Sequence, residues 1–237
     1  MNDEDFDARV VRVAVLGDRV RRKLYRYVVA QPAAVSRDEA AEGVGVARHV
    51  AKFHLDKLEE DGLLEAEFRR PPERGGPGGG RPAKLYRRAA REVAVSLPER
   101  RYDLAGRIMA KAISDAERDM MPIADALHQA AQDAGRDLGQ QARQRAGSRP
   151  SRAVLLGAVH DVLGDYGYEP RTEDAALTLA NCPFRALARD YRDLVCTMNL
   201  DVMNGLLDEL GPTNLRAELD PRPDRCCVKL CSRPAVA

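Results

Sequence analysis

Apolar positions recur at helical spacing through most of the chain, and short breaks divide that pattern into elements. From Ala14 to Ala30, Val15, Leu16, Val20, Leu24, Tyr27 and Val28 mark one helix that ends before Pro32. Ser36 followed three residues later by Glu39 is a capping box and predicts a helix stopping at Gly43. A further helix is predicted from about Val46 to Asp61, closed by Gly62. LLEAEFRR then reads as a strand, a Pro/Gly-rich stretch as a loop, and KLYRR as the return strand. Helix, tight turn, second helix and hairpin is the order of a winged helix-turn-helix.

The predicted helix from Val46 has two unlike faces. At about 100° per residue, Val46, Val50, Leu55 and Leu58 share one arc, while Lys52, Asp56 and His49 lie roughly 200° to 260° round from Val50, with Arg48 beside them. One face can pack while the other offers donors, as reading base edges in a major groove requires. The formal net charge is only +1, so no global field points to nucleic acid. Locally the picture changes. Between Arg69 and Arg91 there are eight basic residues against the single acid Glu73, which suits contact with phosphates or a minor groove.

VSRDEAAEGVGVARHVAKFHLDKLEEDGLL followed by GRPAKLYR resembles the winged-helix regulators of the broad ArsR/MarR/DeoR kind, over about residues 14 to 90. The resemblance implies that Arg48, His49 and Lys52 meet double-stranded DNA from the second helix of the motif. It implies the same for Arg70, Arg74 and Arg81 from the wing, with Ser36 and Arg37 touching phosphate. Gly75 to Gly80 has the spacing of a phosphate-binding loop, but Arg81-Pro82 follows it in place of Lys-Ser/Thr.

Downstream, Leu104, Ile108, Met109, Ala112, Ile113 and Ala116 form a stripe that Met120, Ile123, Leu127 and Ala131 continue. Pro122 is expected to start a second helix there. Part of the stripe is expected to serve a homodimer, since two-fold half-sites call for a two-fold protein. Beyond it, Ser151 to Leu163 and Tyr191 to Leu210 read as helices. Tyr168 to Glu173, Ala175 to Asn181, Leu215 to Leu219 and Cys226 to Leu230 read as strands. The expected fold class is α+β: a winged helix-turn-helix over 1–95, a helical linker and dimerisation region over 96–150, and a mixed α/β sensor domain over 151–237.

All five cysteines, at 182, 196, 226, 227 and 231, fall in that last part. Their spacings are not those of zinc ribbons or ferredoxins, so the fold must gather them before they can bind a soft metal. The pattern NCPF, LVCTMN, LDPRP and CCVKL resembles the sensor half of SufR-type regulators, winged-helix repressors that carry an iron–sulfur cluster on three cysteines. That resemblance implies ligands at Cys182, Cys196 and one of Cys226 or Cys227. A second resemblance, to vinyl-reductase-like sensor domains, implies zinc instead.

The acidic start MNDEDFD is not a signal peptide, and no uncharged apolar run approaches the roughly 18 residues of a membrane span. A cytoplasmic protein is therefore expected. The four histidines, 49, 54, 128 and 160, lie in no HExxH, and no serine lies in GxSxG, so no enzyme is expected. The functional expectation is a DNA-binding regulator that senses redox or iron–sulfur status, with structural zinc or a small-molecule effector as the alternative.

Overall fold

In a computed structural model, residues 3–69, 82–173 and 176–232 are described. The chain forms two compact units, one spanning Asp3–Val95 and the other beginning at Ser96. The fold class is α+β.

The first unit runs α1 (Asp3–Val15), α2 (Arg19–Val29), β1 (Val35–Ser36), α3 (Arg37–Val44), α4 (Arg48–Glu60), β2 (Leu64–Arg69) and β3 (Ala83–Arg88). The helix expected over 14–30 is in fact two helices. Leu16 and Gly17 turn their amides back to Val13 and Ala14, and Asp18 then caps α2 by accepting from the Arg21 amide at 2.8 Å. A local side-chain acceptor thus ends one helix and starts the next. The capping box at Ser36 is present, with the Glu39 amide donating to Ser36 Oγ and the Ser36 amide donating to Glu39 Oε2. Gly45 and Gly62 close α3 and α4 with φ of 71° and 72°, which a side chain would strain.

β2 and β3 pair antiparallel from Leu64 opposite Arg88 to Arg69 opposite Ala83. The two-residue β1 joins the other edge of β3, giving the order β1-β3-β2. Sequence periodicity does not show β1, because two residues carry no period. The core of this unit is built on Leu24, Val28, Ala51, Leu55, Leu58, Leu64 and Tyr86. The apolar arc of α4 is therefore its buried face, with His54 also turned inward.

The second unit contains α5 (Tyr102–Asp119), α6 (Ile123–Ala146), α7 (Arg152–Asp165), β4 (Pro170–Glu173), β5 (Ala176–Leu179), α8 (Arg185–Asp190), α9 (Arg192–Leu210), β6 (Leu215–Leu219) and β7 (Val228–Ser232). Its strands form an antiparallel sheet in the order β4-β5-β7-β6. Met120 takes φ 51° at the end of α5, and Pro122 stands just ahead of α6, where its missing amide costs nothing. The last strand begins two residues later than expected. Cys226 and Cys227 lie just before it, with the Cys226 amide bonded to the Leu179 carbonyl.

Residues 102–146 do not stand apart as a linker. Ile108, Ala112, Ala126, Ala130, Leu138 and Ala142 enter the same core as α9 and the sheet. The reason lies in α6 and α9, which meet backbone to backbone. A Cβ on Gly205 would come within 2.1 Å of the Gln132 carbonyl oxygen, and one on Gly135 within 2.0 Å of that of Val202. The stripe predicted on α5 and α6 divides accordingly. Ile108 and Ala112 are buried, while Ile113, Met120 and Ile123 are exposed.

Candidate DNA-binding face and cysteine cavity

The two sets of candidate residues lie in different units. On α4, Arg48, His49 and Lys52 all project to solvent. Arg48 Nε meets Asp38 Oδ1 of α3 at 2.6 Å, with both side chains well exposed. Such a surface pair contributes little and can be exchanged for a phosphate at small cost. Lys52 is 3.7 Å from Asp56 Oδ2, one turn on. His49 has no hydrogen-bond or charge partner among the described residues. Ser36 Oγ is taken up in the capping box, so any phosphate contact is left to its hydroxyl hydrogen. Arg37, the first residue of α3, is half-buried near Tyr86. Of the wing arginines, Arg70, Arg74 and Arg81 lie outside the described residues.

One member of this face is absent from the sequence expectation. Phe53 is 64% exposed on α4, with its ring edge-on to His54 at 5.2 Å. At about 100° per residue it sits about 40° from His49, on the donor face. Its helical angle alone places it there, whatever the polarity of the side chain. An exposed aromatic there can pack on a thymine methyl, an apolar contact that belongs to major-groove reading.

The face is held to the wing from behind. Asp56 Oδ1 accepts from Tyr86 Oη at 2.6 Å and from Lys84 Nζ at 3.0 Å, and Lys84 also reaches Glu59. Burial opposes ionisation of Asp56, but the hydrogen bonds from Tyr86 and Lys84 outweigh it and keep its carboxyl below the usual range. Burial, and then the bond to Asp56, push the Tyr86 phenol up. α4 and the hairpin are thereby fixed to each other by a charge-assisted cluster.

In the second unit the cysteines are drawn together from three places. Cys182 follows β5, Cys196 lies in the first turns of α9, and Cys226–Cys227 precede β7. All four are buried. Cys182, Cys196 and Cys227 line one cavity of about 620 Å³. Cys226 sits behind them and accepts from Asn199 Nδ2 at 3.1 Å, while Asn199 Oδ1 accepts from the buried Tyr168 hydroxyl at 2.7 Å. The hydrogen bond with Cys226, followed by burial, pushes the Cys182 thiol far up. At Cys226 the Cys182 bond favours the thiolate, but the bond to Cys227 and burial prevail, and the group is pushed up to about 12. Both are therefore protonated thiols at neutral pH, which makes them poor nucleophiles until a cation displaces the protons. Cys231 stands apart on β7, where Arg216 Nε donates to its sulfur at 3.4 Å.

The donor set suits a soft metal or an iron–sulfur cluster in kind and in common location. Among the described residues, however, no group of three or more His, Cys, Asp or Glu is placed to hold a metal ion as it stands. Loading the site therefore requires the thiols to turn toward one another. No helix among the described residues is long and apolar enough to cross a membrane.

Comparison with known proteins agrees with the first unit. Residues 16–67 match a family described as a helix-turn-helix domain, a span from the turn before α2 into β2. The match does not reach the cysteines, so the SufR-type resemblance gains nothing from it. No curated protein and no solved structure matches the chain. The match supports an N-terminal helix-turn-helix DNA-binding domain, and the order β1-β3-β2 sets a three-stranded sheet beside its helices.

Proposed function

We propose that the protein is a transcriptional regulator that binds double-stranded DNA as a homodimer through α4 and the wing. Its second unit, on this reading, senses redox or iron–sulfur status through Cys182, Cys196 and one of Cys226 or Cys227. The observation that carries the DNA-binding part is the match over 16–67, coinciding with an α4 whose outer face holds Arg48, His49, Lys52 and Phe53. The exposed Ile113, Met120 and Ile123 favour the dimer, since apolar side chains left outside the core are the usual material of a seam. What favours the sensor is the convergence of thiols from β5, α9 and the approach to β7 on one cavity.

A bound cluster would supply electron exchange and sensitivity to oxidants. The chain's part is to present the thiols and to give up their protons. Because their mutual hydrogen bonding and burial hold the Cys182 and Cys226 thiols protonated, loading should strengthen as pH rises and should release protons. Asn199, fixed by Tyr168, orients Cys226 in this arrangement.

The test is iron, acid-labile sulfide and visible absorption on protein purified without oxygen, together with binding to random genomic DNA fragments. Iron with sulfide, lost in Cys196→Ser, is the expected result. Stoichiometric zinc without colour would replace the cluster by the second reading, a regulator with structural zinc. Failure to retain DNA would overturn the regulator itself.

A further inference from the structure

The cavity bordered by the cysteines has a second chemical character that the thiols do not account for. Six arginines line it and no acidic residue does. Three of the six meet carboxylates from outside the lining, two of them sharing one aspartate. Arg189 pairs with Asp190 at 3.0 Å, and Arg222 and Arg225 both reach Asp220.

The other three, Arg100, Arg185 and Arg192, have no carboxylate partner among the described residues. Arg100 donates to Asn181 Oδ1 at 2.5 Å and to the Cys182 and Glu99 carbonyls, which fixes its guanidinium beside the Cys182 backbone. Arg185 donates to the Pro223 carbonyl at 2.8 Å, tying α8 to the loop between β6 and β7. Arg192 opens α9 and is exposed. Guanidinium groups are planar forks of donors matched to phosphate and carboxylate oxygens. Facing a concave space, they concentrate positive potential there. At about 620 Å³ the space is of the size that small ligands occupy.

We infer that this cavity is a binding site for a small polyanion carrying phosphate or carboxylate groups, held by Arg185 and Arg192 on α8 and α9 and by Arg100 at its floor. The inference does not require a metal, since the thiols form only part of the wall. It goes beyond the sensor reading by giving the second unit an anionic effector whose occupancy bears directly on Cys182 and Cys196.

The experiment is calorimetric titration of the full chain, reduced and stripped of metal by a chelator, with pyrophosphate and with citrate at fixed ionic strength. Iron and sulfide measured before stripping judge the cluster reading separately, so either idea can fail alone. The expected result is one saturable site for at least one probe, weakened at least tenfold in Arg185→Gln/Arg192→Gln. Both side chains are exposed, so the variant should fold, and Arg171→Gln on β4 should bind as the unaltered chain does. Which probe binds assigns phosphate or carboxylate as the recognised group. No saturable binding of either probe, or equal affinity in the double variant, overturns the inference and leaves the arginines as solvated surface charges around the cavity.

Discussion

The two units solve the same packing problem differently. The first unit buries whole side chains. Leu24, Leu55, Leu58 and Tyr86 are fully enclosed, and the helices are spaced by them. The second unit, at its α6–α9 contact, removes side chains altogether and lets backbones touch at Gly135, Gly139 and Gly205. In the first case a periodic sequence announces the core. In the second the core is set by residues with no side chain to count. A pattern of hydrophobic positions therefore describes the first unit better than it describes the second.

The sharpest way to break this comparison is to give the second unit the side chain it lacks. Gly205→Val should cost more than about 3 kcal/mol, the upper end for overpacking, because the obstacle is the Gln132 backbone and not a movable side chain. Scanning calorimetry should show one transition lowered, with the transition of the first unit, which has its own core, left in place. A single transition that falls as a whole would mean that the two cores do not melt separately.

The next effect in size belongs to DNA affinity. Lys52→Ala/His49→Ala should weaken binding by roughly 2 to 4 kcal/mol, taking about 1 to 2 kcal/mol for each polar contact, and leave the melting temperature unchanged. Phe53→Ala should weaken it by about 1 kcal/mol, on the order of fivefold, again without loss of stability since the ring is mostly in solvent. Unchanged affinity in both variants would remove α4 from the interface.

Tyr86→Phe tests the clamp behind that face. It removes a donor to an ionised carboxylate, and about 1.5 kcal/mol of stability should go with it. The smallest effect is one of pH. The Asp56 carboxyl is held below its ordinary value of 3.8, so its contribution is complete above that value. The contribution is lost as pH falls through the lower folded value. Acid unfolding of Asp56→Asn should accordingly be less steep in that range than that of the unaltered chain.

What could be read along the chain follows from the same physics. The capping box at Ser36, the glycine after α4 and the hairpin strands are local signals. Each depends on residues a few positions apart, and the structure contains them where they were expected. The break at Gly17–Asp18 leaves no mark in the periodicity, because Leu16 and Val20 keep the helical period across it, while the cap depends on one aspartate bond. Phe53 carries no polar signal of its own, since it is an apolar side chain exposed among donors. In the second unit the strands fall within a few residues of the stretches expected for them, whereas the gathering of Cys182, Cys196 and Cys227 spans residues up to 45 apart and is decided by tertiary packing. The arginines around them are scattered likewise, and no local run marks the cavity.

The glycine contact between α6 and α9 has a mechanical meaning as well. Where side chains interlock, a helix can shift slightly as rotamers readjust around it. Where two backbones touch, nothing is available to readjust, and the joint has no play. Cys196 and Arg192 belong to the same helix as Gly205, about 14 Å and 20 Å along its axis at 1.5 Å per residue. Whatever pulls on the N-terminal end of α9 must either move α6 with it or move nothing.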